Sequence, residues 1–331
     1  MRILDTSLAE LRATRTSTKW RGYPPDVLPL WVAEMDARPC PEVVAAVTAA
    51  LERGDVPVGT AVPARYWMLV GHPGPWPAKP IAAPDIADVR ADLDAALGRF
   101  GARLQLIRRH GRLEGDQVEA EGLQQVFLVD VRRGLVGRAR WERPEDLVAL
   151  AGRFDDLPDP TSEPLFLVCA HGRKDVCCAV EGRVVAAVLD DALPGAVWET
   201  THLGGDRFAG NVVILPEGSM YGRLTGDTAP RVVLDHLDGR VDLDRWRGRC
   251  SWHPAAQAAA HDLLRTDPSV RLPDLAPPRL EAAGEDAWLV HLDHGGRSSL
   301  RHVVRTMSAP HQLTCGGAPK VQALFDVTTP G

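Results

Sequence analysis

Lysine is nearly absent. Lys19, Lys79, Lys174 and Lys320 are the whole complement, so arginine supplies most of the 38 basic residues. Against 44 acidic residues they leave a formal net charge of −6 and a pI of about 6.0. The basic excess that a nucleic-acid binder needs is missing. Apolar runs are short, and none approaches the ~18 residues of a membrane span. The opening stretch, MRILDTSLAELRATRT, lacks the apolar core of a secretory signal. These absences set the expectation of a cytoplasmic protein with no nucleic-acid and no membrane partner. Six cysteines are too few for a disulfide scaffold, and a reducing compartment would keep them as thiols. There is no CxxC of the thioredoxin type, which disfavours dithiol–disulfide exchange. The paired short Cys motifs of a zinc ribbon are missing too. Gly204-Gly205 followed by Asn211 has neither the spacing nor the downstream acid of a dinucleotide site.

What remains is an ordinary globular composition, 45% apolar and 25% charged over 331 residues. At ~150 residues per domain, that length suggests about two domains. Residues 1–54 differ in style from the rest. A Pro-rich stretch around Tyr23-Pro24-Pro25 precedes an apolar-periodic helix predicted over 42–53. From Gly59 a new pattern starts. Strands are predicted at 66–70 and 104–107, with a helix over 85–100 between them. A hairpin at 126–130 and 135–137 turns at Arg133-Gly134, and a helix spans 145–153. The Asp/Pro/Ser-rich stretch 157–164 reads as a linker. The second half predicts a strand at 165–168, a loop from Cys169 to Cys178 and a helix over 182–193. A strand at 197–201, a hairpin at 211–215 and 220–224, and a helix over 229–237 follow. Strand–helix–strand–hairpin–helix is the order of the C-terminal half of a thioredoxin-like fold. The tail carries a helix near 254–265 and strands at 287–292, 299–307 and 321–327.

The strongest local signal is Cys169-Ala170-His171-Gly172-Arg173-Lys174-Asp175-Val176-Cys177-Cys178. Three thiols and a histidine follow a strand end. The turn His202-Leu203-Gly204-Gly205-Asp206 follows another, and in a parallel α/β layout successive strand ends gather at one edge. Thiolates with one or two harder ligands suit iron–sulfur clusters or zinc. Adjacent Cys177 and Cys178 diverge in an extended loop, so one of the two ligates. Cys40 and Cys250 lack partner motifs and read as structural, whereas Cys315, in Thr314-Cys315-Gly316-Gly317, is a contender.

The stretches GTAVPARYWMLVGHPGPW (59–76), LFLVCAHGRKDVCCAVEGRVVAAVL (165–189), VWETTHLGGDRFAGNVVILPEGSMYGRL (197–224) and RWRGRCSWHPAAQAA (245–259) resemble the sucrase/ferredoxin-like family. The resemblance spans about 59–326. It implies a thioredoxin-like ferredoxin domain (165–331, with a C-terminal extension) preceded by a smaller α/β subdomain (59–156). It also implies a [2Fe–2S] cluster, electron transfer to a redox partner protein and, despite the family name, no sugar hydrolysis. In fungal relatives two Cys nine positions apart and an HxxxH pair hold the cluster. Carried over, the thiolates fall on Cys169 and Cys178 and the first imidazole on His202, while Asp206 stands where the second His would be. A carboxylate ligand would add negative charge and lower the potential. Otherwise Asp206 pairs with Arg207 or Arg173 and the fourth place falls to Cys177 or Cys315. Gly204, Gly205 and Gly210 would let backbone approach the cluster sulfides.

RTSTKWRGYPPDVLPLWVAEMD (15–36) and PEVVAAVTAALERGD (41–55) resemble instead the N-terminal segment of PLP-dependent C–S lyases. The several hundred residues and the Schiff-base lysine of such an enzyme have no counterpart here. The segment is therefore expected to be no independent domain and to bind no PLP. Two rival functions stand beside electron transfer. One is a metal-free thiol redox protein using Cys177 and Cys178; the other is a structural zinc protein.

Overall fold

The computed structural model describes residues 57–111, 124–311, 313–314 and 317–330, with Ala13 and Pro24. Expectations for residues 1–54, including Cys40, and for Cys315 lie outside the described residues. Pro57–Gly331 forms one compact unit that mixes helices and sheets, an α/β architecture.

Its larger sheet has nine strands in the order β4-β3-β1-β2-β6-β5-β7-β8-β9. The strands are β1 (Tyr66–Gly71), β2 (Arg103–Arg108), β3 (Gln125–Asp130), β4 (Leu135–Arg140), β5 (Leu165–Cys169), β6 (Val197–Thr200), β7 (Val212–Leu215), β8 (Ser219–Tyr221) and β9 (Trp246–Arg249). β1 is buried along its whole length, and period-two alternation sorts its side chains. Trp67 and Leu69 pack with Phe127, Leu167 and Trp198 on one face. Met68 and Val70 pack with Leu93, Leu97 and Leu106 on the other. A near-continuous apolar run suits a strand covered on both faces.

Five α-helices are described: α1 (Arg90–Phe100), α2 (Pro144–Ala151), α3 (Val176–Ala192), α4 (Ala229–Leu237) and α5 (Pro254–Thr266). α1 starts five residues later than its apolar periodicity predicts, because residues 84–86 form a tighter 3-10 turn opened by Pro84. α2 has Pro144 in its first turn, and the Asp146 carboxylate accepts from the Arg143 N–H at 2.9 Å. The alanine-rich face of α5 is buried. It packs against β9 and against a second, four-stranded antiparallel sheet of β10 (Arg279–Gly284), β11 (Ala287–His294), β12 (Arg297–Met307) and β13 (Ala323–Thr328). β9 and β10 are strands that the sequence reading missed. Both carry charged and glycine residues where an apolar alternation would have announced them, WRGR and RLEAAG.

The two halves of the large sheet meet at β2 and β6, which run antiparallel. Their pairing is short, Ile107 to Thr200 and Arg108 to Glu199. Side chains reinforce the seam: Arg108 Nε donates to Glu199 at 2.8 Å, and His110 lies 2.9 Å from the same carboxylate. β5 and β6 are parallel neighbours with Cys169 opposite Thr200. Their C-terminal ends therefore open at the same edge, as the sequence argument required.

Candidate metal centre

Cys169 is the last residue of β5, fixed on both sides. Its N–H donates to the Asn211 carbonyl at 2.9 Å, and the next N–H, of Ala170, donates to Thr200 at 3.1 Å. The chain then turns tightly, with Lys174 and Asp175 N–H groups both reaching the His171 carbonyl. Asp175 caps α3, its carboxylate accepting from Cys177 N–H at 2.9 Å. The cap starts the helix at Val176, six residues earlier than predicted. Cys177 and Cys178 thus stand in the first turn of α3, not in an extended loop. Successive helical side chains point about 100° apart, and only Cys178 turns inward; it is 1% exposed, while Cys177 is half-buried. Val176, Val180 and Val184 line the outer face of the same helix and are exposed.

Gly182, one turn further along α3, sets how close the helix lies to β5. A Cβ there would stand 1.9 Å from the Cys169 carbonyl oxygen. This contact seats Cys178 over the end of the strand that carries Cys169.

His202 follows β6. Its Nδ1 lies 3.9 Å from Cys169 Sγ and 4.0 Å from Cys178 Sγ. All three ligand atoms fall within 4.8 Å of one another. The other ring nitrogen, Nε2, lies 2.8 Å from the Asp206 carboxylate, which is 4% exposed. The structure thus brings Cys169, Cys178 and His202 together and sets Asp206 behind the imidazole. The backbone N–H of His202 donates to His171 Nδ1 at 3.2 Å, which orients the His171 ring. Arg103 holds the His202 carbonyl from below at 2.7 Å.

Gly204 and Gly205 both have left-handed φ, +87° and +80°. Side chains there would meet Val62 and the Arg247 guanidinium respectively. Gly210 lies against Val185 of α3 and the Leu224 carbonyl. Arg207 stacks over Phe208 and donates to Gln322.

The electrostatics follow from this packing. A hydrogen bond from the Cys178 thiol, helped by His202, holds Cys169 well below the usual thiol range against the effect of burial. Cys178 is pushed up by the same bond and by burial. The pair therefore shares one proton, with the charge on Cys169. Burial opposes a charge on His202, but Asp206 and Cys169 outweigh it and push the ring up to about 9. Asp206, despite its own burial, is held below the carboxylate range chiefly by His202. Burial lowers His171.

The donor set tests well against a metal group. Two buried sulfurs and an imidazole nitrogen are soft-to-borderline ligands suited to iron–sulfur centres or zinc. A carboxylate on the far nitrogen of a ligating histidine is the usual outer partner that fixes its tautomer.

The sucrase/ferredoxin-like family profile matches residues 57–248, more than half of the chain. The chain belongs to the sucrase/ferredoxin-like family. Among curated proteins, a Mycobacterium tuberculosis protein titled "Putative cystathionine beta-lyase" is 52% identical over 58 residues, 17% of this chain and 14% of that one. The cystathionine beta-lyase of Corynebacterium glutamicum is 42% identical over 86 residues, 24% and 23% of the two chains. Altered inheritance of mitochondria protein 32 of Meyerozyma guilliermondii is 32% identical over 98 residues, 26% of this chain and 35% of that one. The chain spans about a seventh of the length of the first of these relatives. No solved structure matches. Among the described residues no helix is long and apolar enough to cross a membrane.

The sequence pointed to all four residues of this cluster. It did not point to Arg103, Arg247 or Gly182. An arginine in a strand and a glycine in a helix carry no local mark of what they touch.

Proposed function

We propose that this sucrase/ferredoxin-like protein is a [2Fe–2S] electron carrier whose ligands include Cys169, Cys178 and His202. The observation that carries the reading is the convergence of these donors at adjacent parallel strand ends, within 4.8 Å. The order β5-α3-β6-β7-β8-α4 supports a thioredoxin-like domain around them. A cluster held there would accept and return one electron at a time. The chain's own residues prepare the place. The Asp206 carboxylate keeps the ring proton on Nε2, so that Nδ1 is the nitrogen left to face the sulfurs. Asp175 fixes the first turn of α3 and with it Cys178, and Arg103 restrains the His202 carbonyl. The fourth ligand is proposed from Asp206, by rotation off Nε2, or from Cys315. The matched share of the lyases is too small to carry a pyridoxal-phosphate fold, and no lyase activity is proposed.

The spacing of the donors admits a second reading. Tetrahedral zinc, with bonds of ~2.3 Å to sulfur and ~2.0 Å to nitrogen, spaces an imidazole nitrogen about 3.5 Å from a thiolate sulfur, about half an ångström less than the 3.9 and 4.0 Å found here. Anaerobic purification decides between them. Two iron and two sulfide per chain with visible charge-transfer bands support the cluster. Colourless protein with one zinc overturns it. Cys178→Ser is expected to abolish metal binding and Cys177→Ser to keep it; the reverse pattern refutes the ligand assignment.

A further inference from the structure

Two guanidinium groups lie under the turn that carries His202, and among the described residues neither forms an ion pair with a carboxylate. Arg247, in β9, is 1% exposed. Its Nη1 donates to the Gly204 carbonyl at 2.8 Å and to Asn211 Oδ1 at 2.7 Å. Its Nε and Nη2 donate to the hydroxyl and carbonyl of Thr60, at 3.1 and 2.6 Å. Every one of these acceptors is neutral. Arg103, in β2, donates to the His202 carbonyl and lies over the Trp67 ring at 5.0 Å. Its Nε faces the Gln105 side-chain oxygen at 2.7 Å once that amide is oriented to satisfy its neighbours. Its Nη1 is buried with no hydrogen-bond partner.

A buried cation without a counter-charge is strongly unfavourable. Hydrogen bonds to neutral carbonyls satisfy donors but do not neutralise the charge. Both arginines hold carbonyls of the turn that carries His202, Arg103 that of His202 itself and Arg247 that of Gly204. The groups gathered at that turn that can carry negative charge are the Cys169 and Cys178 sulfurs and the Asp206 carboxylate beside His202. Burial, with Arg207 and Arg103 nearby, draws Arg247 down only to about 9, so it stays charged at neutral pH.

We propose that Arg103 and Arg247 are the fixed counter-charges of this centre. They clasp the His202–Gly205 turn by its carbonyls, and their charge favours the thiolate-rich, reduced state. The proposal rests on the electron-carrier reading for its redox part. One electron arrives from a reduced donor protein and leaves to an oxidised acceptor protein, with no bond made or broken in the chain. On reduction the centre becomes more negative by one unit, and the two fixed guanidiniums offset part of that charge. Both are positioning residues: they touch the loop and not the ligand atoms.

The test compares R103Q, R247Q and R247K with the wild type in two measurements. The first is the midpoint potential of the iron-loaded protein, titrated with dithionite under an inert atmosphere. The expected result is at least a tenfold loss of the reduced form at fixed potential in each Gln variant, about 59 mV for one electron. R247K, which keeps the charge but not the fork, is expected to recover most of it. Loaded Gln variants with the wild-type potential overturn the proposal. The second measurement is the pH dependence of Cys169 alkylation in metal-free protein, mapped by mass spectrometry. Cys169 is expected to ionise at higher pH in each Gln variant and near the wild-type pH in R247K. An unchanged profile overturns the proposal even if the Gln variants fail to load. Wild type without iron or sulfide refutes the electron-carrier reading instead, while the alkylation profiles still decide whether the arginines act on the thiol.

Discussion

The close approach of α3 to β5 makes Gly182→Ala a sharp test of how the centre is built. The added Cβ would sit 1.9 Å from the Cys169 carbonyl oxygen and 2.9 Å from its carbon, with Ala170 Cα at 3.4 Å. All three are backbone atoms, so no flexible side chain can yield. Restoring ordinary contact moves the helix about 1.5 Å off the strand. Val185, Ala186 and Leu189 of the same helix are fully buried and lose packing as it moves. Overpacking of this kind costs about 3 kcal/mol, and alanine regains ~1 kcal/mol of helix propensity over glycine. A net loss of about 2 kcal/mol lowers the melting temperature by ~4–8 °C for a domain of this size. Because Cys178 rides on α3 and Cys169 ends β5, the thiols separate by far more than the ~0.2 Å that a metal site tolerates. Bound metal per chain should fall. Gly98→Ala is the control. Gly98 lies in α1, and a Cβ there meets nothing within 4 Å. That variant is expected to gain ~0.5–1 kcal/mol and keep its metal. Thermal melts and metal analysis of both proteins settle the matter: a Gly182→Ala protein that melts with Gly98→Ala and keeps full metal refutes the reasoning.

Two further outcomes follow from charge. In metal-free protein, Asp206→Asn removes the carboxylate that raises His202, so the ring titrates nearer the ordinary ~6.5. The raised ring of the wild type contributes stability that is present below that value and lost as pH rises through about 9. NMR titration of the His202 ring in the two proteins reads the shift, and an unmoved pKa disproves the pairing. Glu217 is held far below the carboxylate range, with Arg249 and His236 outweighing its burial. Its contribution is present above the ordinary value of ~4.5 and fades as pH falls below it. Glu217→Gln should therefore be less stable than the wild type at pH 7, with the gap narrowing in acid; equal denaturation midpoints at pH 7 count against it.

The candidate ligands were legible because three thiols lie within one short stretch and a histidine follows the next parallel strand, while the choice of Cys169 and Cys178 came from the family resemblance. A short continuous apolar run made β1 readable, and the Pro/Gly punctuation and apolar spacing of helices did the same for α2, α4 and α5. The start of α3 was not. Lys174-Asp175-Val176-Cys177-Cys178 has no apolar period, and the Asp175 cap decides it. Arg103 and Arg247 were invisible for a deeper reason. Each is an ordinary polar residue in a strand, and its meaning comes from a carbonyl on a distant segment. Asp206 looked like a weakened ligand in sequence; in space it stands on the far nitrogen of the imidazole it was expected to accompany.

The seam between β2 and β6 also orders events in time. All three candidate donors, Cys169, Cys178 and His202, lie in the second half of the chain, on β5, α3 and the turn after β6. Arg103, which steadies the His202 carbonyl, comes from β2, 99 residues earlier. Thr201 reaches across the same seam, its hydroxyl accepting from Leu106 N–H at 3.1 Å. Contacts so distant in sequence form slowly, since loop closure must precede any gain from them. The donors can gather as soon as β5, α3 and β6 dock, with Asp206 and His171 already on His202, but the His202 carbonyl gains Arg103 only after the first half has closed onto the second. If the cluster proposed above binds here, its fully clamped site is thereby a late product of folding, and a chain cut within 157–164, a stretch that pairs with β4 through Val136 and Thr161, would carry Cys169, Cys178 and His202 without Arg103.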